Sequence, residues 1–96
     1  MDGVEILLNG QSRSERLAML RTQRDLLFAL RADITAGRRR LSMLDPSEVW
    51  SSRSQREYSC RVAEMLGDVD VVVHYLDEAL ASVRSHIHEE EQMCRA

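Results

Sequence analysis

The segment that most constrains this chain lies in its C-terminal half. Tyr58, Val62, Met65, Val69, Val72, Leu76, Ala79 and Val83 recur at alternating spacings of four and three. Leu66, Val73, Leu80 and Ile87 form a second row beside them. Such spacing gathers apolar side chains on one face of an α-helix and scatters them over both faces of a strand, so the segment reads as helix. Without Pro to interrupt it, a helix over about 53–90 would be roughly 60 Å long. Polarity takes over at Glu89-Glu90-Glu91, where the helix is expected to end.

A second helix precedes it. Ser12-Arg13-Ser14-Glu15 has the spacing of a capping box, a hydroxyl followed three residues later by a carboxylate. Leu20, Leu27, Ile34 and Leu41 then recur at sevens, with Leu30 and Leu44 on flanking positions and only Gly37 as a weak point. Arg24, Arg31 and Arg38 edge this seam, where their long stems can snorkel. Asp45-Pro46 stops the helix, because the residue before Pro is pushed out of helical geometry. Ser52-Arg53-Ser54-Gln55 repeats the capping-box spacing and opens the later helix. The expected organisation is a lead at 1–11, then a hairpin over 12–91 with helices at about 13–44 and 53–90. A turn at 45–52 contains Trp50, and 92–96 form a frayed tail. The fold class is all-α, an antiparallel two-helix hairpin.

The width of the C-terminal stripe predicts more. At 100° per residue the apolar arc spans about 140°, wider than a two-helix seam occupies. One neighbour would leave part of it in water, so the hairpin is expected to dimerise into a four-helix bundle. Val62, Val69, Leu76 and Val83 are assigned to the seam within the chain, and Leu66, Val73, Leu80 and Ile87 to the partner interface. Charge suits a chain folded back on itself: through Arg61 eleven Arg face eight acids, a balance of +3, and beyond it two Arg face eight acids, a balance of −6.

Composition excludes several classes. With 96 residues the chain makes one domain; 44% hydrophobic residues are too many for disorder, and one Pro and four Gly are too few for a many-stranded sandwich. The longest apolar runs fall short of the roughly 18 residues that a membrane span requires. The acidic start, Met1-Asp2-Gly3-Val4-Glu5, predicts no cleaved secretory signal. A net charge of −3 argues against a dedicated nucleic-acid binder, although all thirteen basic residues are Arg, a bias that GC-rich genomes impose.

Reactive residue types are present without the spacing that chemistry needs. His86 and His88 are two apart and point away from each other on a helix; His86 and Glu90 share a face but are two ligands only. His74 is expected to edge the core or meet a partner. Arg38-Arg39-Arg40 lacks the interleaved aromatics of a nucleic-acid footprint and suits a helix C-terminus or a dock for the acidic helix. Cys60 and Cys94 would lie about 50 Å apart on one helix, beyond any disulfide. No catalytic, metal or cofactor-binding residues are assigned.

A hundred-residue helix–turn–helix with Trp50-Ser51-Ser52 in its turn, followed by Arg53-Ser54-Gln55-Arg56-Glu57-Tyr58, resembles the small Trp-x-Gly, or WXG-hundred, family of type VII secretion proteins. The resemblance covers residues 12–91. It implies a homodimer, or a heterodimer with a similar hairpin or with the helical N-terminus of a larger effector. It also implies export by a type VII system without a cleaved signal, either as substrate or as chaperone-like companion. Trp50 and Ser52 would be the motif residues, with Ser52 standing where the family has Gly. The family's tail signal, a Tyr with an acid four residues on, has no counterpart: Tyr75 is followed at that spacing by Ala79. The alternatives are a cytoplasmic dimeric adaptor and, third, an enzyme similar to chorismate mutase, with Arg24 and Arg31 gripping a dicarboxylate. That family's pattern includes a catalytic-site Lys, and this chain has none.

Overall fold

The computed structural model describes residues 12–44 and 52–95, and all of the described regular structure is helical. Helix α1 spans Arg13–Met43 and helix α2 spans Arg53–Arg95. Both begin where the sequence places a cap. Ser12 Oγ accepts the Glu15 amide at 3.1 Å, and its carbonyl accepts the Arg16 amide at 3.0 Å. At α2 the exchange is reciprocal: Ser52 Oγ accepts the Gln55 amide at 3.2 Å, while Gln55 Oε1 accepts the Ser52 amide at 3.1 Å. Two otherwise orphaned amide donors are thereby satisfied. Helix α1 closes just before Asp45-Pro46, with the Leu44 amide donating to the Leu41 carbonyl at 3.0 Å.

Helix α2 runs past the expected limit near residue 90, so residues 92–95, expected to fray, are helical. Glu89, Glu90 and Glu91 are good helix formers, and Glu90 and Glu91 face Arg16 and Arg21 of α1. The lead at 1–11 and the turn with Trp50 lie outside the described residues.

Two compact units divide the chain. In the unit formed by residues 1–28 and 79–96, Leu17, Leu80 and Ile87 are buried and Leu20, Leu27 and Val83 half-buried. Arg13 Nη1 donates to the Met93 carbonyl at 3.1 Å, and Arg21 meets Glu91 at 3.2 Å, so the start of α1 lies beside the end of α2. In the unit formed by residues 29–78, Val62 is buried and Ile34, Leu41, Leu66, Val69, Val73 and Leu76 are half-buried. Arg31 pairs there with Asp77 and Arg38 with Asp70. Positions advance on one helix as they recede on the other. Each unit is an antiparallel helix pair, and the chain is a two-helix hairpin.

The core is thin. Among the described residues only Leu17, Val62, Leu80 and Ile87 are buried apolar side chains, and no polar side chain is buried. A single layer of side chains between two helices buries few of them fully, because most of the seam borders water.

Candidate interaction surface

The seam runs along Val62, Leu66, Val69, Val73, Leu76, Leu80, Val83 and Ile87 of α2. This corrects the division expected from sequence. Leu80 is 3% exposed and Ile87 6%, with Leu66 and Val73 half-buried, so the row assigned to a partner faces α1 of the same chain. The reason is geometric: a seam between two helices takes side chains alternately from two adjacent rows, because 3.6 residues per turn cannot keep one row in line.

What the seam leaves outside is a different row. Tyr58, Met65 and Val72, seven apart, are 43%, 51% and 45% exposed, and Tyr75, three residues after Val72, is exposed as well. Met65 and Val72 immediately precede the seam residues Leu66 and Val73. In α1, Leu30 holds the corresponding outer position and is exposed, as is Leu44 just after the helix. At 100° per residue these positions fall on one side of the seam, so this unit has an apolar flank built from both helices. Scattered exposed apolar residues are ordinary; a row of them at heptad spacing suggests oligomerisation.

The opposite flank is ionic. Asp70 and Asp77 immediately follow the seam residues Val69 and Leu76. Arg31 donates through Nε and Nη2 to the two oxygens of Asp77, the second contact at 3.4 Å. Arg38 does the same to Asp70, the second contact at 3.1 Å. Hydrogen bonding to the acid, then its charge, raises the guanidinium pKa of Arg31 and Arg38. The Arg38 hydrogen bond holds the Asp70 carboxyl below its ordinary range against the opposing cost of desolvation. All four side chains remain more than a third exposed, so these pairs set register and side more than they add stability. Sequence reasoning placed the arginines at the seam edge and missed their partners. The signal was there: Asp70 and Asp77 share the seven-residue spacing of Arg31 and Arg38.

Ser52 is the N-cap of α2, and Trp50 lies outside the described residues. His74 is exposed, 3.1 Å from Glu78 on its own helix, with its ring tilted against Tyr75 at 5.8 Å. His86 borders a shallow hollow of about 260 Å³ with Arg16, Met19, Leu20, Gln23, Glu89 and Glu90. Among the described residues no group of three His, Cys, Asp or Glu could hold a metal ion. Cys60 and Cys94 are exposed free thiols. No helix is long and apolar enough to cross a membrane among the described residues.

Comparison with protein-family models, curated proteins and solved structures finds no match. A two-helix antiparallel hairpin of this length is consistent with the WXG-hundred family without being specific to it.

Proposed function

We propose that the chain is a non-enzymatic interaction protein of the WXG-hundred type, a type VII secretion substrate or the dimerisation partner of a larger effector. It works by covering its apolar flank with a similar hairpin to complete a four-helix bundle. The observation that carries this reading is the exposed row Tyr58–Met65–Val72, which a thin two-helix core leaves in water. Length, helix placement and the Trp50-Ser51-Ser52 triplet support the family; the apolar flank supports the partner.

The first test is assembly. Met65→Asp puts a carboxylate into the flank and should convert a dimer, or a complex with a co-expressed companion, into helical monomers by sedimentation velocity. A parent chain that is monomeric at high micromolar concentration and takes no companion would end this reading. The second test is export: the protein should reach the culture filtrate of its host and vanish from it when the system's membrane ATPase is deleted. Retention in the cell with the assembly intact would favour the cytoplasmic adaptor.

A further inference from the structure

One position on α2 carries a cation where the neighbouring heptad position carries an acid. In the unit of residues 1–28 and 79–96, Arg21 meets Glu91 at 3.2 Å. One heptad inward, the corresponding positions are Phe28 on α1 and Arg84 on α2. Arg84 has no ion pair with a described residue, and it shares the sign of Arg24, the seam arginine one turn before Phe28. Arg24 turns aside to its own sequence neighbour, with Nε donating to Asp25 Oδ1 at 3.1 Å. Adjacent residues of a helix do not face one another, and Asp25 is 71% exposed, so this is a weak substitute for the paired oxygens that Arg31 and Arg38 hold. Chance charge does not favour a cation here: beyond Arg61, α2 carries two Arg and eight acids. Phe28, at the position opposite Arg84, is 59% exposed.

We propose that Arg24, Phe28 and Arg84 form a docking site for an acidic segment of a partner protein. A carboxylate from that segment sits between the two guanidinium groups, and an apolar neighbour covers the Phe28 ring. Arg24 lies one turn from Phe28, the position opposite Arg84, so the two like charges repel, and an incoming carboxylate cancels that repulsion while accepting hydrogen bonds from both sides. The site shares no residue with the Tyr58, Met65 and Val72 row on which the proposed assembly rests.

The test is a low-salt titration of the full chain with a capped synthetic peptide of three Glu-Glu-Leu repeats, followed by NMR. The side-chain Nε–Hε signals of Arg24 and Arg84 and the Phe28 ring signals should shift, while those of Arg53 stay in place. A capped Lys-Lys-Leu counterpart should shift none of them. Arg84→Glu should weaken binding at least tenfold and at the same time raise the thermal midpoint, because a carboxylate at 84 supplies Arg24 with a partner across the hairpin. Arg84→Gln, with the repulsion removed and no charge added, should weaken binding about threefold with its circular dichroism unchanged. Equal shifts at every exposed arginine, no shift at all, or unaltered binding by Arg84→Glu would each overturn the proposal.

Discussion

Leu80→Ala separates a seam residue from a partner-facing one more sharply than any other substitution. The side chain is 3% exposed within the single chain. Truncation to Ala removes three carbons from the seam, about 2.4 kcal/mol at ~0.8 kcal/mol per carbon. A cavity term takes buried Leu→Ala losses to about 3–5 kcal/mol in thick cores. A one-layer seam can collapse toward its open flanks, so a loss of about 2–3 kcal/mol is expected. For a domain of this size that lowers the thermal midpoint by roughly 10–20 °C. Val72→Ala removes two carbons from a side chain already 45% exposed and should cost less than about 1 kcal/mol in the isolated chain. The assay is urea unfolding followed at 222 nm over a tenfold range of protein concentration, since assembly makes stability depend on concentration. Leu80→Ala should lower the midpoint equally at every concentration, whereas the effect of Val72→Ala should grow as the chain associates. If Leu80→Ala proves the milder change in dilute solution, Leu80 faces a partner and the seam described above is wrong.

Two further outcomes follow from local features. Gly67 sits mid-helix with nothing within 4 Å of where a Cβ would lie, so Gly67→Ala should stabilise the hairpin by about 0.4–1 kcal/mol, read from a thermal melt; a lower midpoint would mean that a partner helix approaches there. Asp70 binds its proton less readily in the folded chain than in the unfolded one, so its contribution is complete above the ordinary carboxylate range and disappears as pH falls through the lowered value. Midpoints measured from pH 6 down to pH 2 should therefore decline less steeply in Asp70→Asn than in the parent, and parallel curves would show that the Arg38 pair is absent in solution.

Local structure was largely legible from residue order. Ser12 with Glu15 and Ser52 with Gln55 announced both helix starts, because a cap is a contact over three residues and needs no tertiary partner. Asp45-Pro46 announced the end of α1 for an equally local reason. The far end of α2 was misjudged because three consecutive glutamates read as a solvated terminus. Glu90 and Glu91 instead lie near Arg16 and Arg21, seventy or more residues earlier in the chain. Asp70 and Asp77 were passed over for the same cause: an ion pair between helices is invisible until the helices have a register.

Periodicity by itself determined that two amphipathic helices form and that their apolar faces are too rich to remain single. It could not divide that richness between the chain's own seam and the outside. The rows holding Leu80 and Val72 are both apolar and both spaced by seven, and the helical wheel sets them only about 80° apart. Antiparallel pairing with α1 broke the tie. Leu66, Val73, Leu80 and Ile87 turn inward on the side that brings Asp70 and Asp77 to Arg38 and Arg31, leaving Tyr58, Met65 and Val72 on the opposite flank. Which face is buried depends on the rotation of one helix against another, and only contacts between distant residues set that angle.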